Sequence, residues 1–376
     1  MINLNLHEDL LQSLNHSTSL NQKLRDIHQA MKNYFEFINR VAIALYDDQS
    51  QILKTFLASS SKSNPLIHYE SKIDDALSLK EIIKKRQPRV VNDLSIFDFG
   101  EHEHTIKIKR EGFCASYTLP IFYDNKFLGF VFFNSDRKNC FTDNVLNLLD
   151  IFGHLVISVV MNEMNSIKTM LAALRTANKL VHYKDPETGS HLERMARYSR
   201  LIAKELSISQ KYEFDDEYIE DIFNFSPMHD VGKIGIPDKV LRKPDRLDES
   251  ELDTMRTHAF KGRMVIDAII HNFQFENISN INVLRNIAEY HHEALNGSGY
   301  PHGLKAEDIP TEARIIAVAD IFDALTSERP YKKAWSNELA FETIEKMAND
   351  ILDIDCVKAL LKHKQEVVEI QSTFKD

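Results

Sequence analysis

Imidazoles and carboxylates recur in a fixed order through the C-terminal half of the chain: Asp185-Pro-Glu187-Thr-Gly-Ser-His191, then His229-Asp230, His258, His291-His292 and Asp320. Neutral imidazole and ionised carboxylate suit Mn, Fe and similar divalent metals, and the absence of thiols among them argues against a structural zinc site. Glu187 and His191 are four residues apart, so on a helical turn they face one way. An adjacent His-Asp pair can give one ligand to one metal while the carboxylate bridges to a second. His182, His271 and His363 read as ordinary core or surface histidines. Five histidines and three carboxylates in this order point to a metal centre, although spacing alone leaves open whether they share one site.

Such a centre needs rigid elements around it. From about residue 176 to 365 the apolar residues keep the helical period, through Leu201 to Leu206, Tyr218 to Met228, Glu251 to Ile270, Ile281 to Glu293 and Ala313 to Leu325. Pro237, Pro244, Pro301, Pro310 and Pro330 punctuate the loops between them. The expected C-terminal domain, residues 184–376, is an all-α bundle that carries its chemistry at or near helix ends. Ahead of it, Ile157, Val160, Met164, Ile167, Leu171, Leu174, Asn178 and Val181 alternate in steps of three and four. That is a coiled-coil-like seam over a connecting helix, residues 156–183, expected to join two protomers in a homodimer, with Asn178 fixing register. Residues 1–155 read as an α/β domain. Its mixed sheet is expected over Val41–Tyr46, Ile52–Leu57, Val90–Val91, Tyr117–Phe122 and Phe127–Phe133, with a hairpin turn at Asp124-Asn125 and helices over 6–38 and 142–165.

The 376 residues are 43% hydrophobic and 27% charged, a globular balance that calls for two or three domains. A net charge of −10 excludes a general polyanion-binding surface, so no nucleic-acid polymer is expected as partner. A nucleotide would need a local basic pocket. Cys114, Cys140 and Cys356 form neither a CxxC pair nor a disulfide framework, which suits a reducing cytosol. The N-terminus does not read as a signal peptide, and the apolar stretch Leu155–Met161 is short of a membrane span. The expectation is a cytoplasmic protein with no membrane span.

Four segments of the helical half carry a family resemblance. They are Lys184-Asp-Pro-Glu-Thr-Gly-Ser-His191 with Arg194 and Arg197-Tyr-Ser, and Met228-His-Asp-Val-Gly-Lys-Ile-Gly-Ile-Pro-Asp238. The others are His291-His-Glu-Ala-Leu-Asn-Gly-Ser-Gly-Tyr-Pro301, and Ile315-Ile-Ala-Val-Ala-Asp-Ile-Phe-Asp-Ala-Leu-Thr326 followed by Arg329-Pro-Tyr-Lys-Lys333. Over roughly residues 176–340 the chain resembles HD-GYP domains, cyclic-di-GMP phosphodiesterases of the HD superfamily. The resemblance implies that His229, Asp230, His258 and Asp320 hold a shared metal core with Asp230 bridging. It assigns His291 and His292 to a further metal, with Glu187 and His191 completing it. Members with Glu at the position of Glu187 can hold three metals, so two or three divalent ions, Fe or Mn, are implied, with three favoured.

The implied reaction is hydrolysis of cyclic-di-GMP to linear pGpG, with further hydrolysis to GMP left open. Metal binding can lower a water's pKa from about 15.7 to about 7, which supplies a nucleophile near neutral pH. Asp230 and Lys233 are the implied catalytic residues, and Lys233, Tyr300, Arg329 and Lys332 the implied substrate contacts. The Gly297-Ser-Gly-Tyr-Pro301 loop is implied to be both a substrate wall and a surface for a protein partner. Three departures stand out: Pro227 is expected to kink a helix beside the ligand pair, Asp245 replaces a usual Gly, and Asn349–Asp355 replaces a Gly-rich stretch near the last helix. Two alternatives stay open, a non-catalytic cyclic-di-GMP-binding effector and an HD phosphohydrolase acting on another nucleotide. The first domain resembles GAF sensor domains through Arg89-Val-Val-Asn-Asp-Leu94, Leu119-Pro-Ile…Gly129-Phe-Val-Phe and Phe141-Thr-Asp143, with its ligand unknown. A structural or dimerising domain without ligand is the alternative.

Overall fold

The computed structural model describes the chain apart from residues 1–8, 17, 49, 63, 98–102, 183–188, 210, 274, 277, 279, 329–332 and 376. The chain divides into two compact units, Met1–Asn165 and Ser166–Asp376.

The first unit is built on one six-stranded sheet of β1 (Ile38–Asp47), β2 (Ile52–Ser60), β3 (Glu70–Lys72), β4 (Arg89–Val91), β5 (Ala115–Tyr123) and β6 (Lys126–Ser135). Its order is β3-β2-β1-β6-β5-β4, and every pair is antiparallel. A mixed sheet was the expectation; the turn-linked hairpins β1–β2 and β5–β6 impose antiparallel pairing instead. Asp124 and Asn125 sit in the left-handed region with φ of 47° and 62°, the backbone a two-residue hairpin turn requires. β3 escapes the sequence pattern because Glu70, Ser71 and Lys72 form a polar three-residue edge with no apolar alternation.

Strand periodicity sorts the residues of β1 to two covered faces. Val41, Ile43 and Leu45 join Leu20, Leu24, Ile27 and Met31 of the helix Leu20–Lys32, together with Leu149, Val156 and Val160. Ala44 faces the other way, against Leu53, Leu79, Ile82 and Phe130. A single helix, Asp143–His182, follows the sheet. Of its proposed seam, Val160 is buried in the core beside the sheet, whereas Leu171 and Leu174 are buried in the core of the second unit. The side chains of Asn178 and Val181 lie outside those described. The sequence estimate of a short apolar run is corrected here: Asp143–Leu174 holds an 18-residue window of mean hydropathy 1.7 and is long and apolar enough to cross a membrane by length and composition. Polar residues interrupt the run in sequence, so only the whole helix reveals its apolar content.

The second unit is helical. Gly189–Ile208, Asp216–Phe225, His258–Phe273, Ile281–Tyr290, Thr311–Thr326, Asn337–Met347 and Ile354–Lys362 enclose a core that includes Tyr198, Phe225, Leu284, Ile316, Phe322 and Leu360. Helix starts follow local chemistry. Asp215 caps Asp216–Phe225, and Asp248 with Glu251 makes a reciprocal capping box on Glu249–Arg256. Pro227 does not interrupt a helix. Asp216–Phe225 ends before it, and Pro227 lies in the first positions of the 3-10 turn Ser226–Met228, where a missing N–H costs nothing. Asn349–Asp355 packs rather than hangs open: Leu352 is buried, Ile351 O accepts from Leu295 N at 3.1 Å, and Asp353 caps Ile354–Lys362.

Candidate metal centre

Helix boundaries deliver the candidate ligands. His191 is in the first turn of Gly189–Ile208, and His258 opens His258–Phe273. His291 caps the end of Ile281–Tyr290, with His292 next in the chain. His229 and Asp230 lie between the 3-10 turns Ser226–Met228 and Val231–Gly235, and Asp320 projects from within Thr311–Thr326. The turn after Asp230 comes extremely close to the His258 helix. A Cβ on Gly232 would stand 1.9 Å from His258 O and 2.3 Å from Gly262 N. Only glycine permits that approach, which brings the His229-Asp230 pair against His258.

Four imidazoles are oriented by their Nδ1 atoms. His229 Nδ1 meets Ser226 O at 2.9 Å, His258 Nδ1 meets Met255 O at 2.8 Å, and His291 Nδ1 meets Ile287 O at 2.9 Å. His191 Nδ1 meets Asp323 Oδ2 at 2.8 Å. Carbonyl and carboxylate oxygens accept, so Nδ1 carries the proton and the lone pair of each neutral ring lies on Nε2. For three of them the partner is a carbonyl three or four residues earlier, a distance that one helical turn spans.

The lone pairs turn toward carboxylates. His258 Nε2 and His291 Nε2 lie 3.1 and 3.8 Å from Asp230 Oδ1, and His229 Nε2 lies 3.2 Å from Asp230 Oδ2. His191 Nε2 is 3.9 Å from Asp320 Oδ1. Ligand atoms of Asp230, His258, His291 and His292 fall within 4.8 Å of one another, and those of His191, His229 and Asp320 form a second such group. This division differs from the one the resemblance implied: His191 sits with His229 and Asp320, and the His291-His292 pair sits with Asp230. Asp230 touches both groups, one oxygen toward each. Glu187, Arg329 and Lys332 lie outside the described residues.

Electrostatics keep the centre ready for cations. Burial pushes the Asp230 carboxyl up, but Lys233, His229 and His258 outweigh it and hold it well below the carboxylate range. Burial holds His291 well below the ordinary imidazole value and lowers His292 to about 4, so both are neutral at pH 7. Buried Asp230 Oδ1, His258 Nε2 and His291 Nε2 make no hydrogen bond of proper geometry in this arrangement. Convergent, desolvated acceptor atoms without donors are costly unless a cation joins them, and a divalent metal with nitrogen and oxygen ligands fits that need.

A supporting layer was only partly legible in sequence. Asp323 is fully buried and binds Arg194 through both oxygens, at 2.7 and 3.0 Å, as well as His191. Burial works against its charge, but His191 and Arg194 hold its carboxyl below the usual range. Its spacing of three from Asp320, which puts both on one helical face, was the available signal. Lys233 Nζ lies 2.9 Å from Asp230 Oδ2. Tyr300 lies tilted against the His292 ring, centres 4.7 Å apart, with burial raising its phenol above the normal range. Arg256, which the sequence reading passed over, has its guanidinium 5.8 Å from the Tyr300 ring centre. The loop holding Tyr300 folds back so tightly that a Cβ on Gly299 would meet Ala294 N at 2.3 Å, and Tyr300 N donates to His292 O at 3.1 Å.

Residues 175–356 match the family model described as HD domain, and they contain every described ligand candidate above. This segment is similar to HD domains over just under half of the chain. The likeness implies divalent metal binding, in agreement with the two candidate ligand groups. The chain is 40% identical over 196 residues to the cyclic di-GMP phosphodiesterase response regulator RpfG of Xanthomonas campestris pv. campestris, covering 52% of this chain and 48% of that protein. It is 33% identical over 218 residues to 3'3'-cGAMP-specific phosphodiesterase 2 of Vibrio cholerae serotype O1, covering 56% and 39%. The chain spans about half the length, or less, of the curated relatives it matches. The crystal structure of the GAF domain/HD domain protein from Geobacter sulfurreducens overlaps 40% of this chain and 96% of its own, at 14% identity and a TM-score of 0.32.

Proposed function

We propose that the chain is a metal-dependent phosphodiesterase that hydrolyses cyclic-di-GMP to linear pGpG, with GMP as the product of any second cut. The observation that carries this reading is the pair of His/carboxylate groups, one containing Asp230 and the other touching it through His229, with Lys233 and Tyr300 beside it. Names of the relatives, cyclic di-GMP phosphodiesterases among them, support the substrate class. Metals held by His191, His229, Asp230, His258, His291, His292 and Asp320, with Glu187 as a further ligand, would supply Lewis acidity and an activated water; Fe or Mn suits the donor set, in two or three positions.

The chain's own groups do the rest. Ionised Asp230 lies between the two ligand groups and supplies negative charge to both. The Lys233 ammonium stands at that edge, where it would offset charge growing on the phosphoryl oxygens or give a proton to the leaving 3′ oxygen. Tyr300 keeps its phenolic proton and offers a face to a guanine or a hydrogen bond to a phosphate. Arg256 joins Arg329 and Lys332 as a source of local positive charge in a protein of net charge −10, and an arginine fork suits phosphate or a guanine Hoogsteen edge.

The rest of the reading concerns regulation. The N-terminal unit would act as a GAF-type sensor, and the Asp143–His182 helix would carry its signal and pair two protomers. Leu148 and Ile151 on that helix, 44% and 64% exposed, support an apolar contact there. The Gly-Tyr-Pro loop would receive a protein partner, and the setting would be cytoplasmic.

The test is anaerobic purification with metal analysis, then separate incubation with cyclic-di-GMP and 3'3'-cGAMP and chromatography of the products. Linear dinucleotide or GMP from cyclic-di-GMP, absent with Asp230→Ala, is expected. Turnover of 3'3'-cGAMP alone would move the substrate to another cyclic dinucleotide. Metal bound, nucleotide bound and no turnover would leave a cyclic-dinucleotide-binding effector.

A further inference from the structure

The sheet of the first unit encloses a cavity of about 70 Å³, and its described lining residues all belong to that unit. That is room for a small molecule and too little for a dinucleotide. Its floor exists because β1 turns Ala42 and Ala44 to this side, where larger residues would fill it. Leu53, Leu79, Ile108 and Phe132 make the walls apolar.

Charge in the cavity is one-sided. Among the described residues Arg40 and Arg89 line it, and no Asp or Glu does. Arg40 is 1% exposed, on a central strand, and its hydrogen bonds go to two neutral amide oxygens, Asn64 Oδ1 at 3.1 Å and Asn134 Oδ1 at 2.9 Å. Asn134 in turn donates to Ser116 Oγ at 3.1 Å, so the guanidinium is fixed through side chains on three adjacent strands. Burial lowers Arg40 only to about 10, and it remains charged at neutral pH. Arg89 Nε is buried without a hydrogen-bond partner. Glu81, the carboxylate that acts on Arg89, is paired with Lys85 at 2.6 Å on the surface.

A buried guanidinium without a carboxylate is costly, and a bound anion would offset that cost. The arginine fork matches the two oxygens of a carboxylate or phosphate. We propose that this cavity is a binding site for a small organic anion, a carboxylate or phosphate carried on a compact apolar group, with Arg40 and Arg89 holding its oxygens. The site is independent of the phosphodiesterase reading and gives the first unit a ligand class of its own.

Isothermal titration of the full chain with propionate, methyl phosphate and propionamide, all small enough for the cavity, tests it. Propionate and methyl phosphate represent the two anion sources, and propionamide is the neutral match for propionate. Saturable binding of at least one anion, about tenfold or more tighter than propionamide and weakened about tenfold in Arg89→Gln, is expected. Arg89 is the first variant because it is only half-buried; Arg40→Gln is the second where that protein folds. The proposal is overturned if neither anion saturates at millimolar concentration, if propionamide binds equally well, or if Arg89→Gln leaves the affinity unchanged, which would put the anion elsewhere.

Discussion

At the scale of single residues, the centre depends on groups that never touch a metal. Nδ1 partners decide which nitrogen of each ring faces inward, and three of the four are backbone carbonyls that mutation cannot remove. The fourth is Asp323, which makes it the exposed point of the design. Asp323→Asn keeps an acceptor for His191 but loses the charge that pairs with Arg194. Metal affinity is expected to fall about 10–100-fold, the usual effect of losing an outer-layer partner. His191→Ala should lower metal content further, and Lys233→Ala should leave it near wild type, because the ammonium neighbours Asp230 without offering a lone pair. Metal-to-protein ratios by elemental analysis check all three, and equal content in His191→Ala and Lys233→Ala would remove His191 from the ligand set.

At the scale of elements, the critical feature is a crossing. The turn Val231–Gly235 can approach His258–Phe273 only because Gly232 has no side chain. Gly232→Ala would drive a Cβ into backbone that cannot yield, at a cost of about 1–3 kcal/mol or more, and would move Asp230 away from His258. Gly235→Ala is the matched control. Its Cβ would meet only the Lys261 side chain, at 2.8 Å, and a flexible lysine can swing aside. A thermal melt should therefore drop clearly for the first variant and change by no more than about 0.5 kcal/mol equivalent for the second. Similar melts for both would mean that the crossing tolerates more than its geometry allows.

At the scale of the whole molecule, the two units have separate hydrophobic cores. The core around Tyr198, Phe225 and Phe322 draws only on residues beyond 165, and the cores about the sheet only on residues before it. Each core can form without the other's residues, so residues 166–376 expressed alone are expected to fold and unfold in one cooperative transition. Circular dichroism during heating would show it, and a non-cooperative melt would contradict it. The same helix, Asp143–His182, supplies apolar residues to both cores, while only 28% of its most apolar window is buried.

Much of this was legible in the sequence where local rules act. Alternation marked five of the six strands, Asp124-Asn125 marked the hairpin, and the helical period marked the second unit, because side-chain direction in a strand or helix depends only on the neighbouring residues. The residue types of His191, His229, Asp230, His258, His291, His292 and Asp320 suited metal chemistry, because residue type sets donor atoms, but their assignment to one ligand set came from the family resemblance and not from spacing. The tertiary structure decided what distance along the chain conceals. It divided the candidate ligands into two groups, made Asp323 and Arg194 the support of His191, with Asp323 more than a hundred residues away, and placed two arginines in a cavity with no acid among its described lining residues. Pairings of that kind depend on which helices and strands cross, and crossing is set by the packing of whole elements, to which no local pattern gives access.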